Sequence, residues 1–354
     1  MTGVAVPLRI DVALKAPEGQ SPAALAARFD ELGYDGLWSS ETNHDPFLPL
    51  AVATGTTTRA QLGTAVAVAF ARSPMTLAHT AHDLQVMSGG RFVLGLGSQV
   101  KAHVERRFAM PWSSPAARMA DFVRALRAIW TAWDDDSDLD FRGEFYTHTL
   151  TAPVFRPPAS AWGQPLVHVA AVGELMTRVA AQVADGLIAH TFTTRRYLVE
   201  RTGATVDQEL AAGGRDRHPF EIGVPVMVVT GETSEQRDSA RSEMRRLVAF
   251  YASTPAYRSV LELHGWADVG ERLTHLSKSD GADRWEAMTR LVDDDVLDAF
   301  VVDAEPGDLA RALYDRYAGV VQRVTFNAPR GIPQPLLDGV AADLRRLTEP
   351  VVAP

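Results

Sequence analysis

Eight short apolar runs, each followed by a longer stretch of helical periodicity, constrain this chain more than any other feature of it. The runs are LRIDVAL from Leu8, YDGLWSS from Tyr34, AQLGTAVAVAF from Ala60, RFVLGLG from Arg91, PLVHVAA from Pro165, DGLIAHT from Asp185, FEIGVPVMVVT from Phe220 and VQRVTF from Val321. Near-continuous apolar runs mark strands buried on both faces, the condition of a parallel sheet. The amphipathic stretches between them supply the crossovers that parallel strands require. In SPAALAARFDELG, Ser21 and Pro22 form an N-cap and first-turn pair and Gly33 can close the C-terminus. Eight β-then-α units predict an α/β protein closed as a TIM (β/α)8 barrel. The competing solution, an open doubly wound sheet, would carry a glycine-rich dinucleotide turn after its first strand, and none follows LRIDVAL.

A length of 354 residues fits one barrel domain spanning 1–354. Two segments interrupt the rhythm. Residues 134–163 carry the acidic run DDDSDLD and several prolines, which reads as a surface excursion. Residues 233–316 hold several helices and are expected to insert over the barrel mouth. The absence of cysteine excludes disulfides, thiolate catalysis and Cys-ligated zinc or iron–sulfur centres, and no metal is expected. A net charge of −9 argues against nucleic acid as a partner, because phosphate binding needs an excess of Lys and Arg. Arg9 and Asp11 interrupt the apolar N-terminal stretch and no uncharged span of membrane length occurs, so neither a leader nor a membrane partner is expected and the location reads as cytoplasmic.

In such a barrel, function belongs to the loops after the carboxyl ends of the strands. After the second run, SSETNHDPF offers Glu41, His44 and Asp45, and a histidine there can move protons near neutral pH. The third run is lined with small residues from Gly63 to Ala71, which suits either close approach of a flat ring or the taper of a barrel interior. The fourth ends in Gly95 and Gly97 and continues through Ser98 to Lys101, His103, Arg106 and Arg107, so exposed amides and basic side chains make a candidate anion site. The fifth turns through Ala170, Ala171, Val172 and Gly173 into a helix, a second candidate of that kind. His190 follows the sixth run and could face a substrate or be a hydrogen-bonded structural histidine. Phe47, Phe70, Phe108, Trp112 and Phe192 either line an apolar pocket or belong to the core.

Taken in order, GYDGLWSSE, LGTAVAVAFARSP, SGGRFVLGLGSQ and VHVAAVGELMTRVAAQVADGLI resemble the luciferase-like flavin-dependent family, and within it the coenzyme F420-dependent oxidoreductases. The resemblance runs from LRIDVAL through VTFNAP. It implies a TIM barrel whose third strand carries a non-proline cis peptide behind the cofactor ring, here Ala65–Val66. It places Gly97 and Ser98 beside the ribityl arm, and Ala171, Val172 and Gly173 near the phosphate or ring edge. His44 falls in the loop where relatives keep a histidine or acid. Sugar-phosphate dehydrogenases of the family carry a glutamate after the fourth-strand glycines, whereas here the chain reads Gln99-Val100-Lys101, so a sugar phosphate is not expected.

The resemblance therefore implies hydride transfer between F420 and a small, largely apolar organic substrate. His44, assisted by Glu41 or His190, would handle the proton. The alternatives are a monooxygenase using reduced FMN and a barrel that binds cofactor without turnover. A flavin or F420 reductase is the expected cofactor supplier, and a homodimer or homotetramer the expected assembly.

Overall fold

A computed structural model describes residues 8–281 and 283–348. Met1–Pro7, on which part of the leader reading rests, lies outside them.

Each of the eight runs contains a strand: β1 (Arg9–Ala13), β2 (Gly36–Ser39), β3 (Gln61–Thr64), β4 (Phe92–Gly97), β5 (Leu166–Ala171), β6 (Gly186–Ala189), β7 (Glu221–Val229) and β8 (Arg323–Asn327). Each pairs in parallel with the next, and β8 returns to β1, so the sheet closes into a TIM barrel. Closure gives each of the eight barrel strands a partner on both sides. Side chains alternate across each strand. Ile10, Leu37, Leu62, Leu94, Val167, Leu187 and Val324 are wholly buried, and each such side chain contributes roughly 1.5–3 kcal/mol. The positions between them, among them Asp11, Trp38, His168, Pro225 and Thr325, border the barrel interior. The first crossover helix (Pro22–Glu31) starts as its sequence predicts, with Ser21 Oγ accepting from Ala24 N and Gly33 left-handed at φ +88°.

The third run does not form one strand. Ala65 N donates to Ser39 O at 2.8 Å and Glu41 N to Val66 O at 3.1 Å, drawing the chain toward β2. Pairing resumes at Ala67–Val68, against Leu96 and Gly97 of β4.

Residues 134–163 and 233–316 carry elements besides the eight barrel strands. In 134–163 a small hairpin pairs Phe141–Arg142 with Thr147–His148. Asp121, on the helix Pro115–Asp134, fixes it by accepting from Phe145 N and Tyr146 N. In 233–316 the helices Ser234–Ala252 through Asp294–Phe300 surround an apolar core of their own, built on Met244, Val248, Leu273, Leu297 and Phe300. The barrel pattern then resumes within that segment, for Val301–Asp303 pairs with the end of β7 and the helix Pro306–Tyr317 follows. No helix among the described residues is long and apolar enough to cross a membrane.

Candidate active site

The inward side chains enclose a cavity of about 250 Å³ toward the carboxyl ends of the strands. Its floor is ionic but internally compensated. Arg323 and Asp11, both almost wholly buried, form a two-pronged pair with both contacts at 2.8 Å. Arg323 also reaches Glu221 at 3.2 Å, and Glu221 pairs with Arg9. Trp38 lies across the floor under Arg323, because glycine at position 63 leaves room for its ring. A Cβ at Gly36 would stand 2.5 Å from Asp11 Oδ1, so that glycine admits the ion pair. His168 completes the floor. Burial, reinforced by the charges of Arg323 and Arg9, pushes its pKa down to about 3. Glu221 stands 3.9 Å away, but its carboxylate is already shared by two arginines, and the imidazole is neutral.

A larger cavity, about 500 Å³, opens beneath β1 and β7 between Arg9, Arg217 and Glu221. It lies at the amino ends of the strands, away from the convergent loops. Its charged groups are already engaged, Arg217 with Asp207 and Arg9 with Glu221.

One wall of the upper cavity is the stretch between β3 and Ala67. The Ala65–Val66 bond is cis, as the resemblance implies. Ser40 Oγ donates to Ala65 O at 2.7 Å, and Val68 N donates to a Glu41 carboxylate oxygen at 2.7 Å. Arg72 binds that same oxygen at 2.7 Å and extends to Asp45 at 3.4 Å. Glu41 is thereby committed to holding the wall. Gly97 faces it from β4, and a Cβ there would come within 2.5 Å of Val66 Cγ2. Gly95 is demanded by the backbone of β3, since a Cβ would collide with Thr64 O.

The remaining candidates sit on the loops above. His44 is exposed, in the loop that Arg72 bridges through Glu41 and Asp45. Arg107 reaches from the loop after β4 to Thr42 O and ties the two loops together. Ser98 turns its hydroxyl onto Gln99 O at 3.2 Å, and Gln99 takes a left-handed φ of +56°. Lys101, His103 and Arg106 occupy a six-residue helix. On the far side, Ala171 turns its side chain into the buried layer and offers only backbone, Val172 is half-buried, and Gly173 caps the helix Glu174–Val183. A Cβ at Gly173 would meet nothing within 4 Å, so this helix terminus faces open space. His190 sits one pleat above Ile188, a cavity residue. Phe192 N donates to its Nδ1 at 3.0 Å, its ring stacks on Tyr257 at 4.5 Å, and burial pushes its pKa down to about 4. Tyr257 belongs to the 233–316 segment, which therefore packs against the loop after β6. Phe47, Phe70 and Phe192 are core side chains, because the helical layers enclose them.

Residues 1–323 match the family model for luciferase-like monooxygenases. The chain belongs to the luciferase-like monooxygenase family. It is an oxidoreductase of that family. An uncharacterized protein of Mycobacterium tuberculosis (strain H37Rv) is 48% identical over 302 residues, covering 85% of this chain and 88% of that protein. The 5,10-methylenetetrahydromethanopterin reductase of Archaeoglobus fulgidus is 26% identical over 311 residues, covering 85% and 87% respectively. The structure of the coenzyme F420 dependent tetrahydromethanopterin reductase from Methanopyrus kandleri superposes with a TM-score of 0.76 at 17% identity, over 98% of this chain and all of that one, a likeness of fold.

Several residues of this luciferase-like site were missed in the sequence: Asp11, Trp38, His168, Arg323, Thr325 and Asn327 all border the cavity. Arg9-x-Asp11 and Arg323-x-Thr325-x-Asn327 are polar positions alternating with apolar ones inside barrel strands. That period of two was the available signal.

Proposed function

We propose that this oxidoreductase uses coenzyme F420 and transfers a hydride between the deazaflavin and a small, largely apolar organic substrate. The observation that carries the reading is the Ala65–Val66 wall, backed by Ser40 and Glu41 and faced by Gly97, at the edge of a cavity that adds Ala13, Ile188, Pro225 and Phe326 above its paired ionic floor. A flat ring fits against such a wall. The open helix terminus at Gly173 suits a phosphate on its side arm. A putative coenzyme F420-dependent oxidoreductase of Mycobacterium tuberculosis, 27% identical over 301 residues, supports the same direction.

When bound, F420 supplies a carbon that accepts or releases a hydride in a two-electron step. The protein's share is positioning, exclusion of water and movement of one proton. His44 carries that proton in this reading, from a loop that Arg72, Glu41 and Asp45 hold in place. His190 stays neutral at physiological pH and with Tyr257 shapes the rim. Ser98, Val172 and Gly173 bind the arm of the cofactor. A flavin or F420 reductase as supplier, a homodimer or homotetramer, and a cytoplasmic location belong to the same proposal.

The family's monooxygenases favour one other reading, in which reduced FMN lies on the same wall and the product is oxygenated. Anaerobic assays with F420 against alcohols, and with reduced F420 against enones and imines, separate the two. Turnover without oxygen is expected, and His44→Ala is expected to lower kcat by about 10²–10⁴-fold with cofactor affinity unchanged. An unaltered kcat in His44→Ala would remove that residue from the proton path. Oxygen consumption with reduced FMN and none of the F420 reactions would favour the monooxygenase, and no turnover with cofactor bound a non-catalytic barrel.

A further inference from the structure

We infer that Thr325 and Asn327 on β8 form the polar part of the substrate subsite and select a neutral oxygen-bearing group, an alcohol or ketone, over a carboxylate or phosphate. The inference rests on the reading above, in which a flat ring lies against the Ala65–Val66 wall.

Following the pairings around the barrel, β7 and β8 stand across from β3 and β4. A ring with one face on the β3 wall turns its other face toward Pro225, Thr325 and Asn327, which border the same cavity. Thr325 and Asn327 are two apart on one strand and so project to the same side. Pro225 is in register with Thr325. Asn327 donates from Nδ2 to Thr191 Oγ1 at 3.0 Å, which fixes the amide, and among the described residues its Oδ1 accepts no hydrogen bond. Beside it the Thr325 hydroxyl can donate to a ketone oxygen or accept from an alcohol. The charged residues bordering the cavity are Asp11 and Arg323, and they neutralise each other. An anionic substrate would leave water without gaining a free cation, a costly transfer. With F420 bound, the cofactor would take up the hydride of an alcohol carbon while the hydroxyl proton passes to the protein, leaving a ketone at Thr325 and Asn327. The reverse reduces the ketone.

The test uses the full chain loaded with F420, or with FMN should only that cofactor bind. Cyclohexanone and cyclohexanecarboxylate are titrated in turn while the absorbance of the bound cofactor is followed, and cofactor affinity is measured separately by fluorescence. Cyclohexanone should perturb the spectrum, and Thr325→Val should weaken its binding by about tenfold with the cofactor Kd unchanged. Thr325→Ser should restore it, and Asn327→Ala should weaken it similarly. Melting temperatures equal to that of the parent chain confirm that the variants fold. The inference is overturned if the ketone leaves the spectrum unchanged, if neither Thr325→Val nor Asn327→Ala alters its affinity, or if the carboxylate binds as tightly. Those results leave the proposed cofactor standing. Failure of both cofactors to bind removes the two readings together.

Discussion

Replacing Arg323 with methionine is expected to destabilise the protein by about 3–5 kcal/mol, the range for removing one partner of a buried ion pair. Arg323 is 1% exposed and holds Asp11 by two contacts at 2.8 Å, with Glu221 at 3.2 Å on its other side. Without it Asp11 loses both of its ion-pair contacts, and the neighbouring Arg9 is already paired with Glu221. The penalty is thus the stranded carboxylate more than the lost attraction. The double variant Asp11→Leu with Arg323→Met should recover most of the loss, because an ion pair replaced whole by apolar groups is often close to neutral. Urea unfolding of the single and double variants measures both effects. A single variant within about 0.5 kcal/mol of the parent, as for a surface substitution, would show that the barrel floor is solvated.

Acid is expected to expose the second large effect, at His168. The unfolded chain binds a proton to this imidazole near pH 6.5, whereas the folded chain resists until about pH 3, chiefly through burial and secondarily through Arg323 and Arg9. Below the unfolded value the unfolded state therefore holds more protons. The stability contributed by a neutral His168 is complete above about pH 6.5 and is lost progressively as the pH falls toward 3. At about 1.36 kcal/mol per tenfold change in proton affinity, the upper limit of the loss is about 5 kcal/mol. His168→Gln keeps a polar side chain and removes the titration. Unfolding free energies between pH 7 and 4 should fall less steeply in that variant. Identical slopes would mean that His168 binds its proton equally well in the folded and unfolded chains.

The architecture was legible because every barrel strand buries one face against the helices and much of the other inside the barrel, and so prints an apolar run. The split of the third run was not legible from its composition, since Ala65 to Val68 are as apolar as a strand. What bends the chain there is the reach of Ser39 at the end of β2 and of Ser40 and Glu41 just after it, a long-range effect. For the same reason Glu41 reads as a free acid in the sequence while in the structure it is spent on Val68 N and Arg72. His190 carried two readings, and its surroundings give it a bonded Nδ1 and a stacked Tyr257 contributed from 67 residues away. The floor residues were hidden because a charged side chain inside an apolar run reads as an interruption. Only closure of the sheet turns Arg9, Asp11 and Arg323 toward one another.

The most direct measurement is a fluorescence titration of the full chain with F420 and, in parallel, with FMN, repeated on Gly97→Val. The valine would drive Val66 out of the wall, given that even a Cβ at this position comes within 2.5 Å of it. The expected result is saturable binding of F420 in preference to FMN, with that binding lost in Gly97→Val and the fold retained. Tight FMN binding without F420 binding, or F420 affinity indifferent to Gly97→Val, would contradict a deazaflavin seated against Ala65–Val66.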